Sequence, residues 1–408
     1  MKCRFCKSEN LEVFVDLGHT AISNSFLSKK QLNQPEVIYP LKAMYCQDCF
    51  LVQVDEYKKY DEIFTENYAY HSSVSKSWLE HCKLYTNKVT DRFNLNENSQ
   101  VVEIASNDGY LLQYFKEKNI SCLGIEPTRS TADEAIQKGI NTIVEFFGSN
   151  LAIRLSNLTK ADLIIGNNVI AHVPNLNDFV NGMKILLKEN GVITLEFPHL
   201  LKLIENSEFD TIYQEHFSYL SLYTLKKVFN FHGLEIFDVE ELSTHGGSLR
   251  IYGKHLENNS ISIESSVGYL LHKELTKGIN TSHLYSNFDK KVKMIKKQFL
   301  LWLMIERNKG KKIIGFGAAA KGNTFLNYCG VKSDLIDFIV DETPNKQNMY
   351  TPESHIPIVG FDMIEKEKPD FIIILPWNFK QEIMDKLEFV KEWGCKIVTS
   401  IPSLEINW

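Results

Sequence analysis

The stretch VVEIASNDGYLL, residues 101–112, decides the fold of this chain. Its opening VVEI is short and β-branched, which predicts a buried strand. The Ser, Asn, Asp and Gly that follow tolerate unusual backbone angles or cap helices, so they predict a tight polar turn. An apolar face begins at Tyr110 and predicts the start of a helix. Because open α/β sheets bind ligands beyond the carboxyl ends of their strands, we expect a ligand at this turn.

Strand and helix patterns alternate along the chain after this stretch. The predicted elements are a helix at 111–118, strand 121–125, helix 131–138, strand 142–147, strand 161–165, helix 179–187 and strand 191–197. This order is typical of an α/β fold with a parallel sheet covered by helices on both faces and joined by right-handed crossovers. We assign residues 71–282 to this Rossmann-like domain.

Composition limits the class of protein. A chain of 408 residues predicts two or three domains. Its 44% hydrophobic and 24% charged residues are typical of a globular protein, and a net charge of −6 argues against nucleic acid as a partner. The chain does not open on a signal-peptide pattern, and no apolar run approaches the roughly 20 residues that span a bilayer. We therefore expect a cytoplasmic protein without a membrane partner.

Two C-x2-C pairs mark a metal site near the start of the chain. Their cysteines are Cys3, Cys6, Cys46 and Cys49. Four thiolates suit tetrahedral zinc and close its coordination sphere, so the pattern predicts structural rather than catalytic zinc. Alternating segments at 11–17 and 41–45 can form a small sheet around the ion. We assign residues 1–70 to a zinc-binding domain; the alternative is four free or redox-active cysteines.

The turn and an acid after the next strand predict the ligand of the middle domain. The turn lacks a full G-x-G-x-x-G, so a dinucleotide is poorly supported, but Glu126 follows at the spacing at which an acid reaches a ribose hydroxyl. An adenosine ligand without phosphates fits both features, which predicts S-adenosylmethionine, with Asp108 near its ammonium or ribose. Alternatively, Glu126 caps a helix that begins at Pro127. The predicted cofactor-binding residues are Glu103, Ala105, Ser106, Asn107, Asp108, Gly109, Glu126, Pro127, Phe146, Phe147, Asn167 and Asn168.

A tyrosine, an acid and a histidine lie within four residues at Tyr213, Glu215 and His216. Histidine is the side chain best suited to take a proton near pH 7. Glu215 can orient its imidazole or support a hydrogen-bond network, and Tyr213 can donate to an oxyanion. The alternative is a buried histidine beside a capping glutamate. His172, after the fourth strand, also faces the ligand edge, although a lone histidine there is more often a packing or capping residue.

The C-terminal third, residues 283–408, predicts a second Rossmann-like unit. Residues 312–323 form a strand, a Gly-rich turn and a helix start, and helix N-termini bind phosphates. This turn, with Lys321, suits a nucleotide diphosphate; the competing interpretation is NAD in an oxidoreductase. Gly246 and Gly247 permit close backbone approach to a substrate, or else a tight turn. The predicted substrate-binding residues are Tyr68, His199, Gly246, Gly247, Lys321, Asn323 and Trp377.

Several motifs occur together in one order along the whole chain. They are the two cysteine pairs, VEIASNDGYLL, GNNVIAHVPNLNDF, YQEHFSY, HGGSLR and GFGAAAKG. In this combination the chain resembles the three-domain, zinc-containing sugar C-methyltransferases, which methylate C3 of nucleotide-linked 4-keto-6-deoxy sugars. The resemblance implies S-adenosylmethionine in the middle domain and a sugar nucleotide, first of all a thymidine diphosphate sugar, between the middle and C-terminal domains. We expect the chain to be a monomer.

The resemblance also implies roles for single residues. His216 is similar to the family's catalytic base, Tyr213 and Glu215 to its catalytic neighbours, and His172 to a further active-site group. One of Tyr68 and Tyr70 corresponds to an active-site tyrosine, and we prefer Tyr70. The position of Gln214 often holds histidine in the family. An NAD-dependent sugar-nucleotide oxidoreductase, an O- or N-methyltransferase on the same fold and a non-catalytic zinc scaffold are the alternatives.

Overall fold

The computed structural model describes residues 1–59 and 72–408, which contain three β-sheets. The N-terminal sheet is antiparallel and has the order β1-β2-β3-β9. Its strands are β1 (Leu11–Thr20), β2 (Tyr39–Cys46), β3 (Val52–Val54) and β9 (Ser218–Tyr219). β9 comes from the predicted middle domain and begins two residues after His216. The zinc-binding domain therefore holds one end of the loop that carries the predicted base.

The middle sheet has the order β10-β11-β8-β7-β4-β5-β6. Its strands are β4 (Gln100–Ile104), β5 (Ser121–Ile125), β6 (Thr142–Ile143), β7 (Ala161–Asn167), β8 (Leu187–Pro198), β10 (Leu234–Leu242) and β11 (Ser248–His255). The strands from β4 to β8 are parallel, as predicted. The turn at residues 105–109 lies at their carboxyl ends.

One predicted strand of this sheet is shorter than expected, and two further strands extend the sheet. β6 has two residues instead of the six predicted at 142–147, because Phe146 and Phe147 leave the sheet for the following loop. β10 and β11 lie beyond the strands predicted to be parallel and add an antiparallel edge beside β8. A short turn joins β10 to β11, and such a connection permits only antiparallel pairing.

Helices cover both faces of the middle sheet. They are α1 (Lys76–Arg92), α2 (Leu112–Glu117), α3 (Arg129–Gln137), α4 (Ser149–Ser156), α5 (Leu176–Leu186), α6 (Leu200–Glu205) and α7 (Leu222–Phe231). Successive strand residues point to opposite faces, so Val101 packs with α1 and α2 while Val102 packs with α4 and α5. This arrangement leaves the carboxyl ends of the strands as the open edge where ligands bind.

The C-terminal sheet has the order β14-β13-β12-β15-β16-β17 and is parallel except at β17. Its strands are β12 (Ile313–Phe316), β13 (Ile339–Val340), β14 (Ile358–Val359), β15 (Phe371–Ile374), β16 (Lys396–Thr399) and β17 (Glu405–Asn407). The helices from residue 265 onward are α8 (Ser265–Thr276), α9 (Ser282–Ser286), α10 (Phe288–Asn308), α11 (Ala320–Cys329), α12 (Met363–Glu367) and α13 (Lys380–Lys386). The predicted second Rossmann-like unit is thus present.

Short 3-10 helices link these elements. They span Gln31–Asn33, Ser72–Val74, Ile170–His172, Phe209–Thr211, Thr244–Gly246, Pro344–Lys346, Trp377–Phe379 and Glu388–Trp393. One hydrophobic cluster runs from the N-terminal sheet through α9 and α10 to the C-terminal sheet. Within residues 1–59 and 72–408, we find no helix with the length and hydropathy that crossing a bilayer requires.

Candidate active site and zinc centre

The four N-terminal cysteines converge on one point. Their sulfurs all lie within 4.8 Å of one another, with 3.5 Å between the sulfurs of Cys3 and Cys49 and 3.6 Å between those of Cys6 and Cys46. Around a tetrahedral zinc ion with Zn–S bonds of about 2.3 Å, sulfurs lie about 3.8 Å apart. The spacing therefore fits structural zinc, and these four thiolates would be its ligands.

The two C-x2-C turns share one backbone geometry. The N–H of Lys7 donates to the carbonyl of Cys3 at 3.0 Å, and the N–H of Phe50 donates to the carbonyl of Cys46 at 2.8 Å. Lys7 and Phe50 both have a positive φ, of 63° and 65°. Each turn thus closes on its first cysteine in the same way and presents two sulfurs to one ion.

The turn after β4 is held in an unusual backbone conformation. Ala105, Asn107 and Gly109 all have a positive φ. The N–H groups of Ala105 and Ser106 donate to the carbonyl of Ile125 at 2.8 and 3.2 Å, which ties the turn to the end of β5. The turn therefore keeps its polar groups at the open edge of the sheet, where we predict the methyl donor.

Glu126 closes the same pocket from β5. Its carboxylate accepts from the N–H of Asn107 at 2.9 Å and from the N–H of Thr128 at 2.8 Å. The helix begins at Arg129 and not at Pro127, so Glu126 does not cap its first turn. The bond to Asn107 instead places the carboxylate at the turn after β4. Burial raises the pKa of Glu126. A buried carboxylate beside this turn fits the ribose hydroxyls of an adenosine ligand.

Other predicted cofactor residues lie around this edge. Asn167 is buried at the end of β7, and neither atom of its side-chain amide has a hydrogen-bond partner among the described residues. Unpaired buried amides are costly, so this side chain indicates a polar ligand. Phe147 instead packs edge-on against Phe179 of α5, with 5.6 Å between ring centroids, which makes it a packing residue. Burial raises the pKa of Glu103 well above its ordinary value.

His216 has a defined tautomer. Its Nδ1 lies 2.8 Å from the carbonyl oxygen of Thr211, which only accepts, so Nδ1 carries the proton. Nε2 then holds a lone pair and lies 3.1 Å from the hydroxyl of Tyr213. Burial and the nearby His172 lower the pKa of His216 well below its ordinary value. The side chain is therefore a neutral imidazole with an available basic nitrogen.

A second histidine faces the first. The ring of His172 meets that of His216 at a centroid distance of 4.6 Å and an angle of 71°. Burial lowers the pKa of His172 to about 4, so this imidazole is also neutral at pH 7. The contacts of His216 thus bring two neutral imidazoles and one phenol together. His216 also lines a small, mostly apolar cavity whose walls include Phe197 and Leu203.

Glu215 points to the N-terminal domain. Its carboxylate accepts from the Nδ2 of Asn24 at 2.9 and 3.1 Å, and the side chain is buried. The carbonyl of Thr211 takes the orienting position on His216 that we predicted for Glu215. Glu215 therefore supports a hydrogen-bond network beside the base, the second role considered for it.

The predicted substrate residues separate into two groups. Lys321 and Trp377 lie together, with the Lys321 Nζ 4.6 Å from the Trp377 ring centroid, and Gly246 lies against Trp377. His199 is instead buried and pairs with Glu274 of α8 at 2.7 Å, so its predicted contact with substrate was wrong. Asn323 is also buried and donates to the Ser23 carbonyl at 2.7 Å.

Of the remaining predicted residues, Gly247 lies within the described part of the chain, whereas Tyr68 and Tyr70 do not. A side chain at Gly247 would meet Lys202 on α6, so this glycine serves packing within the middle domain. Tyr68 and Tyr70 lie outside the described residues, and their predicted roles stay predictions.

A buried network of charged side chains, which the sequence did not predict, joins β8, β11 and α1. Glu196 of β8 pairs with Arg250 of β11 at 2.7 Å and with His81 of α1 at 2.9 Å. The Thr244 hydroxyl donates to the same carboxylate at 3.0 Å. His245, next along the chain, lies 3.1 Å from the Asn168 amide. The register of β8 and β11 brings Arg250 opposite Glu196, a pairing with no local signal in the sequence.

Family models match almost the whole chain. A zinc binding domain model matches residues 3–64, a methyltransferase domain model matches 78–239, and the C-methyltransferase C-terminal domain model matches 243–402. The C-methyltransferase NovU of Streptomyces niveus is 30% identical over 405 residues, which cover 98% of this chain and 95% of that relative.

Solved structures resemble part of the chain. An S-adenosylmethionine-dependent methyltransferase from Clostridium acetobutylicum shares 15% identity at a TM-score of 0.36, over 43% of this chain and 92% of that one. The magnesium protoporphyrin IX methyltransferase of Synechocystis with bound S-adenosylmethionine shares 14% identity at a TM-score of 0.34, over 43% and 78% of the two chains.

Proposed function

The chain belongs to the C-methyltransferase family, with S-adenosylmethionine as methyl donor and a structural zinc, and from this premise we propose that it methylates C3 of a nucleotide-linked 4-keto-6-deoxy sugar. The nucleotide is proposed to be thymidine diphosphate, and the chain to act in deoxysugar biosynthesis. Family membership displaces the oxidoreductase and scaffold alternatives.

The observation that carries the proposal is the neutral His216, whose Nδ1 proton is held by the Thr211 carbonyl so that Nε2 keeps its lone pair. A ketone at C4 of the sugar acidifies the hydrogen at C3, and a neutral imidazole is suited to remove it. The carbonyl of Thr211 fixes the ring and the proton on Nδ1. His216 therefore takes the C3 proton on Nε2, and the sugar becomes an enolate.

The hydroxyl of Tyr213 supports the same step. In the free protein this group donates to the Nε2 of His216. When the sugar occupies that position, the hydroxyl is released and can donate to the C4 oxygen as it becomes negative. His172 contacts the imidazole edge-on and limits water around it. Tyr213 thus acts on the enolate and His172 on the base, and neither acts on the methyl donor.

S-adenosylmethionine, when bound, would supply an electrophilic methyl group, and its neutral thioether product would need no acid from the protein. Glu126 and the turn at residues 105–109 hold it at the edge of the sheet. The chain's contribution is orientation: C3 must lie in line with the methyl group, and both must be shielded from water.

A product analysis tests this function. The protein is incubated with thymidine diphosphate 4-keto-6-deoxyglucose and S-adenosylmethionine, and NMR identifies the methylated atom. We expect a new methyl group on C3, and exchange of the C3 hydrogen in D₂O without the methyl donor. His216→Asn should abolish both. A methyl group on oxygen, nitrogen or C5 would contradict the proposed acceptor, since the ketone also acidifies the hydrogen at C5.

A further inference from the structure

Two buried carboxylates at the boundary between the middle and C-terminal domains have no role in the proposed reaction. Glu208 is 2% and Asp210 1% exposed. Asp210 immediately precedes Thr211, whose carbonyl orients His216. These carboxylates therefore lie next to the proposed base, on the side of the C-terminal domain.

Only one of the two carboxylate oxygens of Asp210 has a hydrogen-bond partner among the described residues. Its Oδ2 accepts from the indole Nε1 of Trp377 at 2.8 Å. Its Oδ1 is buried and has no hydrogen-bond partner among the described residues. The backbone N–H of Thr211 is nearby, but it donates to the carbonyl of Glu208 at 3.1 Å. A buried carboxylate oxygen without a donor is unfavourable, so the site is built to receive one from a ligand.

A lysine and an indole complete the cluster. The Nζ of Lys321 donates to Asn378 at 2.8 Å and lies over the ring of Trp377. Its charge favours the ionised form of Asp210, although burial still raises the pKa of Asp210 to about 6. The Lys321 ammonium attracts both Asp210 and Glu208, and Lys202 also attracts Glu208. The cluster thus contains two acids, one base and one aromatic face.

The absence of a side chain at Gly246 allows Trp377 and Glu208 to pack against its backbone. A Cβ there would lie 2.6 Å from the Trp377 ring and 2.7 Å from a carboxylate oxygen of Glu208, and its φ is +91°. Trp377 can therefore lie directly against the turn that precedes β11. This close approach explains why the turn at residues 245–248 has a glycine at position 246.

We propose that Asp210, Glu208, Lys321 and Trp377 bind the hydroxyl groups and the ring face of the hexose, and not the diphosphate. A diphosphate would bring at least two negative charges next to the two carboxylates of this site, and like charges repel. Hexose hydroxyls are neutral, donate to carboxylates and accept from an ammonium. The inference rests on the proposed function and revises the expectation that Lys321 binds phosphate.

Asp210→Asn tests this assignment. The variant keeps an amide oxygen for the Trp377 indole but removes the charge at Oδ1. We expect the KM for the 4-keto sugar nucleotide to rise about 10-fold to 100-fold, the usual range for a lost hydrogen bond to a charged acceptor. The Kd of free thymidine diphosphate, measured by calorimetry, should stay within about twofold, because that ligand lacks the hexose.

Lys321→Gln, together with Asp210→Asn, distinguishes binding of the diphosphate from binding of the hexose. If the cluster held the diphosphate, Lys321→Gln would weaken thymidine diphosphate and Asp210→Asn would tighten it, and either result overturns the inference. An unchanged KM in Asp210→Asn does the same. Failure of the wild-type protein to convert thymidine or guanosine diphosphate 4-keto-6-deoxy sugars would instead overturn the proposed function, and the inference with it.

Asp238→Asn is the matched control. Asp238 is a buried carboxylate on β10 that pairs with Arg92 at 2.6 Å, away from the cluster. Its substitution should lower the melting temperature but leave the KM unchanged. A KM increase of similar size in both variants would assign Asp210 a structural role and overturn the inference.

Discussion

Asn24 donates through its Nδ2 to both carboxylate oxygens of Glu215, at 2.9 and 3.1 Å. Asn24 belongs to the N-terminal domain, and Glu215 is the neighbour of the proposed base. The same segment is held from the other side, since Asn323 of α11 donates to the Ser23 carbonyl. The zinc-binding domain therefore does more than fold around its ion: it holds the loop that carries the proposed base against the C-terminal domain.

Asn24→Ala should lower kcat while leaving the protein folded. The buried carboxylate of Glu215 loses the Asn24 donor, and the loop that carries His216 is held less rigidly, so we expect kcat to fall about 10-fold. The KM should change by less than about twofold, because Asn24 lies behind the loop. Steady-state kinetics with both substrates measure the two constants separately.

Asn327→Ala is the control for that variant. Asn327 of α11 donates to the Thr20 hydroxyl at 3.0 Å, so it joins the same domains without contacting Glu215. Its loss should lower the melting temperature as much as Asn24→Ala but leave kcat unchanged. If both variants lose kcat equally, Asn24 acts only through domain packing.

The pH dependence of kcat should reflect the lowered pKa of His216. Proton removal requires the neutral imidazole, and a lower pKa extends the neutral form toward acidic pH. At pH 6.0 an ordinary histidine with a pKa of about 6.5 is mostly protonated, whereas kcat here should stay within about twofold of its value at pH 7.5. The measurement is made at saturating sugar nucleotide. A half-loss of kcat centred near pH 6.5 would contradict the buried, neutral state of His216.

Loss of zinc should also reduce catalysis, although the ion is remote from the chemistry. In Cys46→Ser the metal loses one of four thiolates, and we expect zinc content, melting temperature and kcat to fall together. The link is structural, since β3 pairs with β9 just after His216. Metal analysis and calorimetry follow the first two quantities. Cys122→Ser, outside the zinc cluster, should retain all three, and full activity in zinc-free protein would refute the link.

The zinc ligands and the strand-turn-helix at residues 101–112 were predictable because their signals are local. Each C-x2-C pair forms one turn, and a β-branched run followed by Asn, Asp and Gly specifies its own backbone. The predicted structural zinc and α/β fold are confirmed on these grounds.

Contacts between distant segments could not be predicted in this way. Asn24 meets Glu215, and Trp377 meets Asp210, only after three domains pack. The error at His199 has the same origin: it follows β8 at the ligand edge, but its ring turns toward α8, and a pattern of residue types does not specify that direction. The β10–β11 edge was missed because periodicity does not distinguish antiparallel from parallel pairing.

Glu126→Gln should separate binding of the methyl donor from binding of the sugar. A carboxylate can accept two hydrogen bonds from the ribose hydroxyls, and an amide offers one oxygen and a donor, so we expect the Kd of S-adenosylhomocysteine to rise about 10-fold or more. The Kd of thymidine diphosphate should stay unchanged, since Glu126 lies at the end of β5, in the middle domain. Calorimetry measures both, and Glu117→Gln, an exposed acid after the same turn, is the control. Because Glu126 also accepts from the Asn107 N–H, a fall in melting temperature without weaker S-adenosylhomocysteine binding would assign it to shaping the turn alone.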